Sequence, residues 1–271
     1  THMKIHPTAI ISPTAQLSDD IEVGPNVIIG GLARVGAGCT IQANAVLDGK
    51  ITLGDNNTVG YGAILGAPPQ DFAHSPDIDS EVIIGNNNRI REYVTIHRGT
   101  KSGTATKVGD RCFLMVGCHL GHNVEVANDV IITNNCLLAG YVQVGEGAVL
   151  GGGSVYHQFI RIGRRSMIAG GARFNKDIPP FTLGNFYNIL YGINLVGLRR
   201  CGMDAATRTE IRRAFQLVFR GLKPVREAIA EARLSEWKPE ALEFFDFVAS
   251  SKRGCATSRR INQQVDEDSE E

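Results

Sequence analysis

The chain has 271 residues, of which 43% are hydrophobic and 21% charged, and its 28 basic residues balance 28 acidic ones. This composition predicts a globular protein with a sizeable core, and the zero net charge gives no overall attraction for nucleic acid or a membrane surface. No apolar run is long enough to cross a bilayer, so we expect no membrane span.

A repeat of six residues runs from Ile5 to Pro179. Almost every block opens on Ile, Leu or Val, as in IHPTAI, ISPTAQ and VGPNVI. This period suits a chain that runs straight, turns, and buries one aliphatic side chain on each side. Three such sides make a coil of about 18 residues, and successive coils stack about 4.8 Å apart. The sequence therefore predicts an all-β solenoid, a parallel β-helix of hexapeptide repeats, over residues 4–183.

Two segments interrupt this period, and both are expected to be loops. Residues 71–83 carry Asp, Ser, Pro and His, and residues 102–107 read SGTATK. A solenoid pushes insertions out of its wall, often on the face that binds ligands. The two loops therefore mark a candidate working face.

The C-terminal part changes from a period of six to a helical period. Asp204 is a plausible N-cap, and Pro224 and Pro239 each stand at the start of a later apolar-periodic segment. We therefore predict a C-terminal α-helical domain over residues 184–255. Residues 256–271 end in DEDSEE, and we expect them to be a disordered, solvated tail.

The six cysteines form no CxxC and no paired spacing. Four of them fall inside hexapeptide blocks, where a small core or turn residue is expected. This usage is typical of reduced thiols, and we expect a cytoplasmic protein.

The stretch LMVGCHLGHNVEV offers the clearest candidate chemistry, with His119 and His122 three residues apart. One coil after His122 comes Gly140, and Gln158 follows one coil later, with His157 and Tyr141 beside this column. An imidazole stacked on a glycine N–H pairs a possible general base with a possible oxyanion donor. Against this, a corner histidine is often only solvated, and a glycine often serves only the turn.

Metal binding is a second interpretation of the histidines. His97, His119 and His122 could act as three imidazole ligands, as in trimeric β-helix carbonic anhydrases. Their spacing is not diagnostic, and no dedicated carboxylate accompanies them, so we predict no metal and no other cofactor. A non-enzymatic solenoid scaffold is a third hypothesis.

Several motifs in fixed order give the chain a family resemblance. They are PPQD (68–71), IREYVTIHRGT (90–100), HLGHNVEV (119–126), LAGYVQVG (138–145), YHQF (156–159), DIPPFT (177–182) and INLVGLRRCGM (193–203). With these motifs the chain resembles the UDP-N-acetylglucosamine 3-O-acyltransferases, which catalyse the first step of lipid A biosynthesis. The match covers about residues 4–250.

This resemblance implies a left-handed β-helix, a homotrimer, and transfer of a 3-hydroxyacyl chain from acyl carrier protein to the 3-position of UDP-GlcNAc. It also implies that His122 is the general base and that the Gly140 N–H stabilises the oxyanion. Implied substrate contacts are Gln70 and Asp71 for the sugar, His119 for sugar or phosphate, His157 and Gln158 for nucleotide sugar or pantetheine, Asn194 and Arg200 for the nucleotide, and Tyr141 beside them. Gly170 matches the position that limits acyl length.

The chain departs from the family pattern at four substrate-facing positions. Tyr141 replaces a usual second histidine, Ala73 a frequent lysine, Val196 an acidic residue and Cys201 an arginine. The base and oxyanion positions are intact. A variant acceptor, such as a 3-amino sugar nucleotide, is therefore an alternative, because an amine needs less activation by a base.

Residues 161–226 contain 13 basic residues and three acidic ones. In a chain of zero net charge, this asymmetry would steer an acidic partner such as acyl carrier protein. A solvated helical surface would give the same composition.

Overall fold

A computed structural model of the chain describes residues 3–258. Within this range the repeat forms a parallel β-helix with three flat faces and short strands. The strands in chain order are β1 (Lys4–Ile5), β2 (Ile10–Ile11), β3 (Gln16–Leu17), β4 (Glu22–Val23), β5 (Ile28–Ile29), β6 (Ala33–Val35), β7 (Thr40–Ile41), β8 (Val46–Leu47), β9 (Lys50–Leu53), β10 (Thr58–Val59), β11 (Ile64–Ala67), β12 (Glu81–Ile84), β13 (Arg89–Ile90), β14 (Thr95–His97), β15 (Ala105–Val108), β16 (Phe113–Leu114), β17 (His119–Leu120), β18 (Glu125–Val126), β19 (Ile131–Ile132), β20 (Leu137–Leu138), β21 (Gln143–Val144), β22 (Val149–Leu150), β23 (Val155–Tyr156), β24 (Arg161–Ile162), β25 (Met167–Ile168), β26 (Arg173–Phe174), β27 (Thr182–Asn185) and β28 (Ile189–Ile193).

Three sheets wrap around one core. The first runs β1-β4-β7-β10-β13-β16-β19-β22-β25-β27-β28, the second β2-β5-β8-β11-β14-β17-β20-β23-β26, and the third β3-β6-β9-β12-β15-β18-β21-β24. In nearly every two-residue strand the second residue points inward and is buried, as Leu120, Leu138 and Tyr156 are. This stacked aliphatic interior is the predicted one, and it fixes the register of every coil.

The register accounts for both interruptions by length. His119 pairs with Leu137, so an undisturbed coil takes 18 residues. Lys50 pairs with Glu81, which is 13 residues more than one coil, and Arg89 pairs with Phe113, which is six more. These excesses equal the lengths of the predicted loops 71–83 and 102–107. The detours themselves lie slightly earlier, because Glu81–Ile84 and Ala105–Val108 are strands that rejoin the wall.

The C-terminal part contains four helices, α1 (Leu195–Arg200), α2 (Ala205–Phe219), α3 (Val225–Ala232) and α4 (Pro239–Ala249). The predicted cap is present, because the Asp204 carboxylate accepts hydrogen bonds from the N–H and hydroxyl of Thr207. Ile211, Phe215, Val218 and Phe219 form the buried face of α2. The helices therefore begin where the sequence predicted them to begin, with α1 as an addition.

The structure differs from the predicted boundaries at both ends of this helical domain. Residues 184–193, predicted as part of it, belong largely to the antiparallel hairpin of β27 and β28 that closes the solenoid. Thr257–Ser258, predicted as part of a disordered tail, forms β29 and pairs with β28. Both segments extend the solenoid sheet, which offers them backbone partners that composition does not reveal. The rest of the predicted tail, residues 259–271, lies outside the described residues.

The described cysteines are all free thiols, and those inside the coils are buried. Burial raises the pKa of Cys112 to about 11 and that of Cys118 to about 12, so both thiols stay protonated. They serve as small core residues. Among residues 3–258, no helix is long and apolar enough to cross a membrane.

Candidate functional site

A cleft of about 230 Å³ lies on the outer face of the second sheet, beside the corner that leads to the third sheet. Strands β17, β20 and β23 form its floor, and the corners that follow them form its rim. Its lining contains Gln70, His119, His122, Gly140 and Gln158, five of the residues predicted for the site.

His122 and Gly140 occupy the same corner position in successive coils, as the 18-residue spacing predicted. The Tyr141 N–H donates to the His122 carbonyl at 2.9 Å, and this bond locks the two corners together. A Cβ placed on Gly140 would lie 2.2 Å from Cε1 and 2.4 Å from Nε2 of the His122 ring. Glycine is therefore required at position 140 because the imidazole occupies the space that any side chain would take.

The Gly140 N–H makes no hydrogen bond to any group within the described range. Its neighbours Ala139 and Tyr141 donate to Tyr156 and His122, respectively. An unpaired N–H beside a cleft is free to stabilise an oxyanion. Gly140 is itself buried, so this donor is held rigidly next to the His122 ring.

His122 is 8% exposed, and its Nδ1 lies 3.2 Å from Oδ1 of Asn123, which is 7% exposed. The Tyr141 ring meets the His122 ring edge-on, with centroids 5.3 Å apart. These contacts fix the ring, whose Cε1–Nε2 edge lies against Gly140.

His119 and His97 form a pair of imidazoles in the cleft, with ring centroids 5.1 Å apart. Burial, and to a smaller degree His97, lowers the pKa of His119 to about 4. His119 is therefore neutral at physiological pH, and its Nδ1 contacts the Thr95 hydroxyl at 2.8 Å. His97 uses Nδ1 to donate to the Pro68 carbonyl at 2.6 Å, which anchors the segment that carries Gln70.

Other predicted residues lie close to the cleft without lining it. Asp71 is exposed and accepts a hydrogen bond from the Ala73 N–H within its own loop. His157 is exposed beside Gln158. Tyr141 points across the corner into a separate cavity of about 650 Å³ on the third sheet, where it stacks on Phe159. Their predicted substrate contacts remain predictions.

Asn194 and Arg200 lie in the C-terminal part, away from the cleft lining. Asn194 is buried and caps α1, since its Oδ1 accepts from the Gly197 N–H and its Nδ2 donates to the Arg165 carbonyl. Arg200 is exposed at the end of α1. The structure gives Asn194 a folding role, and its predicted contact with a nucleotide stays a prediction.

Gly170 lies at another corner, between β25 and β26. A Cβ there would come 3.2 Å from the Gly152 carbonyl oxygen, so a side chain requires only a small shift. The adjacent Gly171 has φ +69°, a conformation that disfavours any side chain. Of these two glycines, Gly170 is therefore the position at which side-chain size can vary.

The metal interpretation finds no support in this geometry. Nδ1 of each of His97, His119 and His122 faces a separate protein group, so a metal ion would have to be held by the three Nε2 atoms. No set of three His, Cys, Asp or Glu side chains in the described part of the chain is placed to hold a metal ion.

The basic residues of 161–226 are mostly engaged within the protein. Arg164 donates to both carboxylate oxygens of Glu243 at 2.8 Å and covers the Phe181 ring, and Arg161 pairs with the buried Asp177. A hollow of about 280 Å³ between α1 and α2 is lined by Arg199, Arg208 and Arg212. Of these three, Arg199 and Arg212 are exposed, and their side chains have no partner among residues 3–258.

Sequence reasoning missed two residues of the site. His97 was considered only as a metal ligand, although its place in TIHRGT, at the end of β14, puts it one coil below the HxxH motif. The sequence motifs assign no role to Asn123. One sequence feature could have pointed to it, because an asparagine directly after the histidine suits the left-handed backbone conformation of a corner. The φ angle of Asn123 is +60°.

Sequence comparison finds two family profiles in the chain. Residues 177–256 match one described as UDP N-acetylglucosamine O-acyltransferase, domain 2, and residues 105–140 match bacterial transferase hexapeptide (six repeats). The chain is 39% identical over 256 residues to an acyl-(acyl-carrier-protein)–UDP-N-acetylglucosamine O-acyltransferase of Syntrophobacter fumaroxidans, covering 93% of this chain and 99% of the relative. It is 41% identical to the Burkholderia ambifaria protein of the same name, covering 93% and 98%.

Solved structures agree in fold. The UDP-N-acetylglucosamine acyltransferase of Francisella novicida superposes with a TM-score of 0.90 at 29% identity, over 94% of both chains. The Acinetobacter baumannii structure superposes with a TM-score of 0.88 at 35% identity, over 94% of this chain and 99% of the other. The solenoid is accordingly the left-handed parallel β-helix, an exception to the usual right-handed crossover.

Proposed function

The chain belongs to the family of acyl-(acyl-carrier-protein)–UDP-N-acetylglucosamine O-acyltransferases, and we propose that it transfers a 3-hydroxyacyl group from acyl carrier protein to UDP-GlcNAc in lipid A biosynthesis. The observation that carries this proposal is the His122–Gly140 stack. It places an imidazole nitrogen and an unpaired backbone N–H side by side in one cleft.

In the proposed reaction, His122 takes the proton of the sugar 3-hydroxyl through Nε2. The hydroxyl oxygen then attacks the thioester carbonyl carbon, and the Gly140 N–H stabilises the resulting oxyanion. Collapse of this intermediate breaks the C–S bond, and the imidazolium returns its proton to the departing sulfur of the carrier. The neutral His119, with Gln70 and Gln158, is available to hydrogen-bond the sugar nucleotide.

The predicted homotrimer also remains part of the proposal. Five large apolar side chains point outward on the second sheet, and they are 37–66% exposed in the single chain: Ile10, Ile28, Ile64, Leu137 and Val155. An apolar strip of this kind is typical of a surface that a second subunit covers. Light scattering of the purified protein at several concentrations measures the assembly directly.

A 3-amino sugar nucleotide is the second candidate acceptor. It is favoured by the four positions at which the chain departs from the family pattern. Ala73, Val196 and Cys201 are exposed and offer no cation or anion where the family usually has a charged residue. Tyr141, the fourth, faces away from the cleft lining. A cytoplasmic location likewise remains a prediction, drawn from the reduced cysteines.

The decisive experiment assays purified protein with acyl-carrier thioesters of graded length against UDP-GlcNAc and its 3-amino analogue. We expect transfer to at least one of these two acceptors, and the ratio of their kcat/KM values identifies the natural one. If neither acceptor is acylated from any carrier thioester, the proposed function is wrong.

A further inference from the structure

We propose that Asn123 is a positioning residue that fixes the tautomer of His122 through a chain of neutral hydrogen bonds beginning at Tyr141. This inference rests on the proposed function, since it concerns how the base of that reaction is prepared. It assigns a role to Asn123 and a second role to Tyr141, one that does not depend on contact with substrate.

The first step is the direction of the bond between Asn123 and His122. The Thr100 backbone N–H, which can only donate, lies 3.0 Å from Oδ1 of Asn123. This contact identifies that atom as the amide oxygen rather than the amide nitrogen. An amide oxygen only accepts, so Nδ1 of His122, at 3.2 Å, must carry the proton. In the neutral ring Nε2 then holds the lone pair, on the side that faces Gly140.

The second step extends the chain to Tyr141. The Thr100 hydroxyl donates to the same Asn123 oxygen at 3.1 Å, and its own oxygen then accepts from the Tyr141 hydroxyl at 3.2 Å. Tyr141 is held in place by its stack on Phe159, with ring centroids 4.9 Å apart. Every donor in the chain has one acceptor, and the bonds all run toward the Asn123 oxygen.

The third step is that, within the described residues, this series of hydrogen bonds contains no charged group. The titratable groups nearest to His122 are Tyr141 beside it and His119 and His97 within the cleft. Glu125 and Lys107 line the cavity on the far side of the corner, and these two charged side chains pair with each other. An amide orients the imidazole without adding the negative charge that would stabilise an imidazolium.

The direct test measures the tautomer itself. Imidazole nitrogen NMR shifts of the protein labelled with 15N-histidine, assigned with His122→Gln, report which nitrogen is protonated. We expect Nδ1–H in the wild type and a mixture of tautomers in Asn123→Ala. A wild-type ring protonated at Nε2 overturns the inference, and this readout does not depend on catalytic activity.

The kinetic test uses Asn123→Asp, Asn123→Ala and Tyr141→Phe. The Ala variant should lose about tenfold to a hundredfold in kcat with little change in KM, and Tyr141→Phe a smaller factor. The Asp variant should retain activity, and its acidic limb should move up by about one pH unit because a carboxylate favours the imidazolium. Asn135→Ala removes another corner asparagine in the left-handed conformation, with φ +58°, and controls for loss of a corner residue.

Two outcomes separate the hypotheses. If the wild type transfers acyl chains but Asn123→Asp leaves the pH profile unmoved and Asn123→Ala behaves like Asn135→Ala, Asn123 has only a structural role. If the wild type transfers no acyl chain while the NMR tautomer is as expected, the proposed function fails and the positioning inference stands.

Discussion

The cleft around His122 and the hollow between α1 and α2 differ in charge and in exposure to solvent. Among the described residues, no Lys, Arg, Asp or Glu lines the cleft, and the His122 ring is buried and held by short contacts. The hollow has three arginines, two of which are exposed and have no partner in the part of the chain that the structure describes. A neutral, rigid cleft suits proton transfer at fixed distances, whereas an exposed cationic surface suits the encounter with an acidic protein.

The largest expected effect is at the base of the cleft. His122→Ala should reduce kcat by about 10²–10⁴, because general base catalysis is lost while the fold is not. The effect should be the same at low and at high salt. The matched control is His6→Ala, at the opposite end of the solenoid, and circular dichroism checks folding. More than about a tenth of wild-type turnover in His122→Ala would mean that another group is the base.

Gly140→Ala should have the second largest effect on kcat. The new methyl group would lie 2.2 Å from Cε1 of His122, so either the ring or the corner must move. Displacing the base and the oxyanion donor together should cost about 10²–10³ in kcat. Gly30→Ala, a corner glycine whose Cβ would come no closer than 3.3 Å to a neighbour, is the control. Near-normal turnover in Gly140→Ala would remove Gly140 from the mechanism.

Reversing charge in the hollow should change binding instead of chemistry. We expect Arg199→Glu with Arg212→Glu to raise the KM for the carrier thioester about tenfold at low salt, with little change in kcat or in the KM for the sugar nucleotide. The difference should shrink as salt screens the charges over about 10 Å at 0.1 M. Arg226→Glu is the control, because Arg226 is an exposed arginine outside the hollow and its side chain has no partner among residues 3–258. Equal effects on both substrates would assign the hollow to something other than the carrier.

The smallest effect is expected on chain length. Gly170 can take a side chain after a small shift of its neighbour, so Gly170→Met should shift the preference toward shorter acyl chains, with about fourfold per methylene that no longer fits. Competition among thioesters of graded length measures the shift, and Gly170→Ala should give an intermediate profile. An unchanged profile in both variants would exclude Gly170 as the residue that limits length.

The cleft could be predicted from the sequence more fully than the hollow. A period of six fixes register, and register alone places Gly140 on His122 and sets the lengths of both detours. Arg164 and Glu243 are 79 residues apart in the sequence, and helix packing brings them together. The six-residue period does not predict this pairing. For this reason the sequence overestimated the number of free cations, and reversing Arg164 would also disturb the contact between solenoid and α4.

The hydrogen bonds between side chains at the corners could not be predicted from the sequence either. The motif HLGHN places Asn123 beside His122, but only the structure reveals that Thr100 donates to its amide oxygen and that Tyr141 donates in turn to Thr100. The β27–β28 hairpin was missed because its glycines, asparagines and aromatics read as irregular, while the end of the solenoid sheet supplies its hydrogen bonds.

Coil register also divides the chain into stretches that tolerate changes in length and stretches that do not. The wall has already absorbed 13 extra residues before Glu81 and six before Ala105 without losing alignment, so these two detours are natural places to graft or shorten sequence. Between His122 and Gly140 the register requires one coil of 18 residues, because deleting a single residue would exchange the inward and outward side chains of that coil and move the glycine away from the imidazole. Across relatives of this protein, the lengths of the two detours should therefore drift, while that one turn of the helix keeps its length.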